Sequence, residues 1–297
     1  MGSGDCRRRS RWCAGLSGPY RVVPWPAPGQ KIPDCGRHEV MAVSADDRAG
    51  RVYVFQRSPT YPMLVFDHDG QYLSSWGRGR FTEPHGCRVA PDGSVWLTDN
   101  GDHRVLRFTG DGRLLRSWGV RGVAGNDARH FNRPADVAFG PAGDIYIADG
   151  YGNARVVRLA ADGSFVQAWG RHGTGPSEFH LVHTIAVDGA GLVYVGDREN
   201  RRIQIFTSDG RFLREWTAVG YPFGLAFLPG QRRLVVADGV ADTLSIYDLA
   251  GRRLARWGGT GSAPGKMRRA HLCATDAAGA IYVAEVKNHR VQKFVPA

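Results

Sequence analysis

Val193-Tyr194-Val195-Gly196-Asp197-Arg198-Glu199-Asn200-Arg201-Arg202-Ile203-Gln204-Ile205-Phe206 carries the logic of the fold in one stretch. A short β-branched and aromatic run ends in an aspartate, a polar turn follows, and a second run of the same kind begins. The first run recurs at Leu97-Thr98-Asp99, Ile147-Ala148-Asp149 and Val236-Ala237-Asp238, while Gln56 and Glu285 hold the equivalent place in the first and last copies. The aspartates at 99, 149, 197 and 238 are 50, 48 and 41 residues apart, and six copies fill the chain. Such a period means an array, a solenoid or a propeller.

Each copy reads as β. Val52–Phe55, Val95–Leu97, Ile145–Ile147 and Val193–Val195 are first runs; Arg104–Phe108 and Arg202–Phe206 are second runs. Asp-Gly pairs at 111–112, 162–163 and 209–210 mark hairpin turns. A third run then ends in tryptophan, at Trp76, Trp118, Trp169, Trp216 and Trp257. With the strand ahead of each first run, a copy has four strands, which describes a propeller blade. No window shows the apolar period of a helix. The last copy stops after Arg290–Phe294 and lacks its fourth strand, whereas Tyr20-Arg21-Val22-Val23-Pro24-Trp25 resembles the missing one. An open edge would leave a row of unpaired N–H and C=O groups. The sequence therefore predicts an all-β, six-bladed β-propeller at 38–297, closed by a strand near 20–25 of an N-terminal segment at 1–37. The alternative is that residues 1–37 form a loose tail.

The chain has 297 residues, enough for two domains by length alone, but blades bury their faces only against each other. No run approaches the roughly 18 apolar residues of a membrane span. The start Met1-Gly2-Ser3-Gly4-Asp5-Cys6-Arg7-Arg8-Arg9 has no apolar stretch behind it and does not read as a secretory signal. Five cysteines are too few and too scattered for a disulfide framework. The reading is a cytoplasmic protein. The net charge of +11 lies largely in arginines, among them Arg7–Arg9, Arg78, Arg80, Arg201, Arg202, Arg268 and Arg269. Such a balance can attract an anion or nucleic acid. These residues are not gathered in one run, so they read as charges spread over loops of a monomer with no nucleic-acid or membrane partner.

One slot in the repeat is chemically distinctive. Eleven residues ahead of the aromatic in the first run stand His85 before Trp96, His183 before Tyr194 and His271 before Tyr282. The interleaved copies carry Val40, Ala135 and Phe223 there. In a closed six-fold ring, alternate units place equivalent atoms at the corners of a triangle. Three imidazoles on one focus form a facial His₃ site, which suits Zn²⁺ with an open coordination position. Cys87 and Cys273 lie two residues beyond their histidines, but Ile185 holds that place in the third copy, so they read as small packing residues.

The segments Asp149-Gly150-Tyr151-Gly152-Asn153-Ala154-Arg155 and Asp197–Gln204, with Asn288-His289-Arg290, resemble the NHL-repeat family. More narrowly, residues 38–297 are similar to the peptidyl-α-hydroxyglycine α-amidating lyases. That resemblance implies a six-bladed propeller with zinc in its central channel, and cleavage of an α-hydroxyglycine into a peptide amide and glyoxylate. It implies zinc ligation by His85, His183 and His271, the same triad the repeat spacing selects. It implies a catalytic tyrosine at Tyr151 and two arginines, Arg57 and Arg198, that act in catalysis and hold the substrate carboxylate. The chain departs from the family where Met-Pro-His-Asp becomes Arg269-Ala270-His271-Leu272. Leu272 replaces the aspartate of a structural calcium site, so no strong Ca²⁺ site is expected. Arg269 adds a cation that bears on the substrate. The family's cysteines are replaced by Gly152 and Ile205, as befits a reducing compartment.

The implied chemistry needs a group to deprotonate a hydroxyl, a group to hold a carboxylate, and a proton for the departing nitrogen. Tyr151 can act as base if a cation steadies its phenolate, with Arg57 the nearest candidate for that. Arg198 can clamp a carboxylate with two hydrogen bonds. The expected partner is a small carboxylate-bearing or peptidyl substrate. Two other readings stay open: a non-catalytic NHL propeller that binds protein or RNA, and a zinc hydrolase of another small carboxylate.

Overall fold

A computed structural model describes residues 16–230 and 232–297. The described chain is all-β, and no helix in it is long and apolar enough to cross a membrane. Six sheets follow one another, and the fold class is the six-bladed β-propeller. The fold divides into two compact units, one taking in residues up to Arg80 and from Ala226 onward, the other Phe81–Leu225. The N-terminal residues 1–15, which include the Arg7–Arg9 cluster and two of the cysteines, lie outside the described residues.

The unit Phe81–Leu225 holds three four-stranded antiparallel sheets. The first contains Pro84–Val89, Val95–Asp99, Arg104–Phe108 and Leu114–Trp118. The second contains Asp136–Phe139, Ile145–Asp149, Arg155–Leu159 and Phe165–Trp169. The third contains Val182–Val187, Val193–Asp197, Arg202–Phe206 and Phe212–Trp216. The second strand of each sheet is buried throughout, whereas the fourth is largely exposed. This is why the first runs read as continuous apolar stretches and the fourth strands do not.

The repeating Asp-Gly and Trp have one joint explanation. Gly163 and Gly210 adopt φ of +80°, as the turns require. A Cβ at Gly163 would come within 2.5 Å of the Trp118 ring, and one at Gly210 within 2.7 Å of Trp169. The turn of one sheet thus rests on the terminal tryptophan of the sheet before it, and Trp118 Nε1 donates to Gly163 O at 2.8 Å. On its other side Trp118 stacks on Trp96 at 4.6 Å.

The other unit carries the sheet Val40–Asp46, Arg51–Gln56, Met63–Asp67 and Tyr72–Trp76. It also holds most of the sheet of Pro222–Phe227, Arg233–Asp238, Thr243–Asp248 and Arg253–Gly258. Its remaining sheet is built from both ends of the chain. Ala270–Thr275, Ile281–Glu285 and Arg290–Pro296 are joined by Tyr20–Val23, which pairs antiparallel with the C-terminal strand in the register Tyr20↔Pro296 to Val23↔Lys293. Tyr20 stacks on Trp257 at 5.3 Å, and Trp25 packs on Phe66 and Tyr282. The expected N-terminal closing strand is therefore present. Leu16–Ser17 adds a fifth strand that the repeat did not announce.

The strand-end acid of each copy has a positional task. Asp197 accepts from the backbone N–H of His180, from Asn200 Nδ2 and from Arg202 Nε at 2.8–2.9 Å. Asp149 does the same with Asn132 N, Asn153 Nδ2 and Arg155 Nε, each at 2.8 Å. Asp99 accepts from Thr82 N and Glu83 N, and Glu285 from Arg268 N. These four acids tie down the segments that enter the first strands of their own sheets, just ahead of the slot where the histidines stand. Burial pushes the Asp149 carboxyl up, against the opposing pull of Asn153 and Arg155.

Candidate metal centre and active site

The first strands that bear the histidines are irregular at those residues. Pairing shifts between Pro84 and Cys87, between Val182 and Thr184, and between Ala270 and Cys273. A bulge re-aims the side chain it contains. All three imidazoles are buried. Each places Nδ1 on a main-chain carbonyl: His85 on Ala135 O at 2.7 Å, His183 on Phe223 O at 2.8 Å, His271 on Met41 O at 2.6 Å. A carbonyl only accepts, so Nδ1 carries the hydrogen and Nε2 keeps its electron pair. Of the interleaved slots, Ala135 and Phe223 are where the repeat placed them. In the first copy the carbonyl belongs to Met41 instead of Val40, because the pairing shift there falls between Val40 and Ala42.

Within Phe81–Leu225 the site is drawn tightly. The His85 and His183 ring centroids are 5.0 Å apart. The Tyr151 hydroxyl lies 3.1 Å from His85 Nε2 and 3.0 Å from His183 Nε2. Arg198 Nη1 donates to the same hydroxyl oxygen at 3.1 Å, and its guanidinium lies over the Tyr151 and Phe223 rings at 5.4 and 4.7 Å. Tyr151 stands in the turn after Asp149, and Arg198 directly follows Asp197, so the two strand-end acids fix the turns that present them.

Asp136, fully buried, braces both histidine strands. It holds Arg88 through two bonds of 2.9 and 2.7 Å and accepts from Thr184 Oγ1 at 2.9 Å. Thr98 Oγ1 donates to the Ala135 carbonyl that His85 uses.

In the other unit, His271 is held by Met41 as above. Arg57 pairs with Glu39 at 2.8 Å, and Lys287 reaches the same carboxylate at 3.1 Å. Burial works to raise Glu39, but Lys287 and Arg57 outweigh it and hold the carboxyl below its usual range. Arg269 is exposed, in a left-handed conformation with φ of +56°, and its N–H donates to Asp242. Leu272 is a buried apolar residue, and Cys273 belongs to the apolar core. Burial pushes the Cys87 thiol up. Cys35, Cys87 and Cys273 are free thiols.

His85, His183 and His271 are a candidate set of ligands for a metal ion. The donor set fits a cation on its own chemistry. With the hydrogen on Nδ1, each imidazole is neutral and presents an Nε2 electron pair, and neutral imidazole is a zinc ligand.

Sequence reasoning selected His85, His183, Tyr151 and Arg198, and the structure brings these four together. It expected a cation to steady the Tyr151 oxygen, and within this unit Arg198 Nη1 donates to that oxygen. It missed the carbonyl partners, which any residue type can supply. It also missed Glu199, which accepts from Arg198 Nε at 2.7 Å and sits next to it in the sequence.

The repeat, its acid-anchored turns and the sheets they join define an NHL-type β-propeller, and the chain belongs to the NHL repeat family, whose pattern matches residues 81–108, 131–159 and 179–206. Its similarity to NHL repeat-containing protein 3 of Homo sapiens is 35% identity, covering 93% of this chain and 84% of that protein. It is 29% identical to peptidyl-alpha-hydroxyglycine alpha-amidating lyase 1 of Drosophila melanogaster, over 91% of this chain and 58% of that one. Among solved structures, a streptogramin B lyase shares the fold, with a TM-score of 0.63 and 15% identity over 89% of this chain and 95% of its own.

Proposed function

We propose that this protein is a zinc-dependent carbon–nitrogen lyase that splits an α-hydroxyglycine-type substrate into an amide and glyoxylate, a peptide-amidation reaction. The observation that carries the reading is the Tyr151 hydroxyl, set between His85 Nε2, His183 Nε2 and Arg198 Nη1 within 3.1 Å of each. The similarity to an amidating lyase supports it.

His85, His183 and His271 would hold the metal. Bound there, zinc supplies Lewis acidity that lowers the pKa of a hydroxyl. Tyr151 takes the proton of the substrate hydroxyl. As the oxygen electron pair becomes the aldehyde C=O, the C–N bond breaks and its electrons go to nitrogen. Tyr151 then returns the proton to that nitrogen, so the amide and glyoxylate leave with all atoms accounted for. The Arg198 guanidinium steadies the phenolate before the first transfer and after the second. Buried carbonyl acceptors at Nδ1 keep the imidazoles in one tautomer throughout. Arg198, with Arg57 and Arg269 as further cations, would hold the carboxylate.

The test joins metal analysis to chemistry. The purified protein should contain about one zinc per chain, and the zinc-loaded protein should release glyoxylate from an N-acyl-α-hydroxyglycine. His183→Ala should lose metal and activity together. Zinc-loaded wild type that releases no glyoxylate from any α-hydroxyglycine would remove the lyase reading.

A further inference from the structure

Tyr151 has a second side. Besides meeting the histidines through its oxygen, it lines a cleft of about 500 Å³ within the Phe81–Leu225 unit. Its lining takes in the Gly150–Asn153 turn together with Arg171, His172 and His180. The loop that carries these last three is short and rigidly held. Arg171–His172 pairs in parallel with Glu178–Phe179. Arg202, buried by its bond to Asp197, donates to the carbonyls of Thr174, Gly175 and Glu178 at 2.6–2.9 Å. Asn200 donates to Gly173 O at 2.9 Å, and Glu178 accepts from the N–H groups of Thr174 and Gly175. On this braced loop two exposed imidazoles, His172 and His180, stand edge to face with centroids 5.2 Å apart.

We infer that this cleft is a peptide subsite, which holds the two or so residues that precede the reacting glycine and makes His172 and His180 specificity-determining residues. The inference rests on the lyase reading of Tyr151. A peptidyl substrate with its last residue at the Tyr151 hydroxyl must lead its chain away past the Tyr151 ring, and the cleft begins there. Its volume lies in the range of binding clefts, about 300–1,000 Å³. A neutral imidazole offers one donor and one acceptor, which matches the alternating C=O and N–H of an extended chain. Because the loop is already fixed by Arg202 and Asn200, little ordering is left to oppose binding. Contacts so far from the broken bond are made equally in the ground and transition states, so they act on KM and leave kcat alone.

Two measurements test the subsite. In the first, glyoxylate release is compared for a tripeptidyl-α-hydroxyglycine and for N-acetyl-α-hydroxyglycine. H172A/H180A should lower the preference for the longer substrate about tenfold, through KM, as expected for the loss of two ordinary hydrogen bonds. H172Q/H180Q, which keeps polar groups in place, should recover part of it. In the second, calorimetry measures binding of the matching tripeptidyl-glycine, which lacks the hydroxyl and is not cleaved. Its Kd should weaken by the same factor in H172A/H180A. Unchanged KM and Kd in a variant that unfolds at the wild-type temperature would overturn the subsite, as would wild type that fails to bind the tripeptidyl-glycine. Wild type that binds it in a His172- and His180-dependent way, yet releases no glyoxylate from either substrate, would retain the subsite and remove the lyase reading.

Discussion

Replacing Tyr151 with phenylalanine deletes one oxygen and one proton and little else. The ring would remain under the Arg198 guanidinium, 5.4 Å away, and edge-on to His85 and His183 at 5.1 and 5.5 Å. Three contacts go, those to the two Nε2 atoms and to Arg198. For folding, a lost hydrogen bond at a half-buried site is worth about 1 kcal/mol, so Tyr151→Phe should unfold within a few degrees of wild type. For turnover the loss is of another order. A positioned general base contributes about 10²- to 10⁴-fold, or roughly 2.7–5.4 kcal/mol at 1.36 kcal/mol per decade. The assay is glyoxylate release under saturating substrate, with zinc measured on the same preparation. The expected result is kcat down by that factor at full zinc content. A Tyr151→Phe protein with full zinc and near-normal kcat would refute the assignment of the base.

Other substitutions separate the remaining roles. Arg198→Ala should raise KM for a carboxylate substrate at least as much as it lowers kcat, since the guanidinium faces both the substrate and the Tyr151 oxygen; a pure kcat effect in steady-state kinetics would deny it the carboxylate. Arg202→Ala should destabilise by about 3–5 kcal/mol in denaturant unfolding, because it removes the cation paired with the buried Asp197 carboxylate and one donor from each of three loop carbonyls. Burial works to raise the Asp102 carboxyl, but Thr82, Arg104 and Arg121 outweigh it and hold it below its usual range. A depressed folded pKa adds stability above the unfolded value, near 4, and loses it as pH falls through the folded value. Asp102→Asn should therefore lower the melting temperature at pH 6 and flatten its decline between about pH 4 and 2; an unchanged acid limb in thermal melts would exclude this contribution.

The fold was legible because its signals are local and repeated. A buried second strand, an Asp-Gly turn that needs positive φ, and a tryptophan for that turn to rest on all recur at fixed intervals. The histidines were legible for a related reason: each keeps a constant distance from a strand-end acid, and that acid ties its own sheet together, whereas Tyr151 was read from the family resemblance of its segment. What escaped was set by neighbours distant in sequence. Arg57 and Arg198 both follow a strand end, but only the fold shows that Arg57 pairs with Glu39 and that Arg198 donates to Tyr151. His172 lies ahead of the repeat, and His180 stands where other copies have Thr82, Asn132 and Arg268, so neither carries a repeated residue type. The extra strand at Leu16–Ser17 was hidden for want of a repeat to compare it with.

The alternation of histidine with Met41, Ala135 and Phe223 is easily taken for three functional copies and three degenerate ones. The hydrogen bonds argue otherwise. Each imidazole takes its Nδ1 partner from the next copy: His85 from Ala135, His183 from Phe223, His271 from Met41. An imidazole can offer Nε2 to a metal only if Nδ1 has somewhere to put its hydrogen, and a buried imidazole without such an acceptor would leave a polar group unsatisfied. The interleaved copies therefore complete the histidines. Their side chains are free to differ as widely as methionine, alanine and phenylalanine, because the main chain supplies the acceptor. Each histidine and the carbonyl that holds it are one device spread over two copies, and the half of it made of a carbonyl has no signature in the sequence.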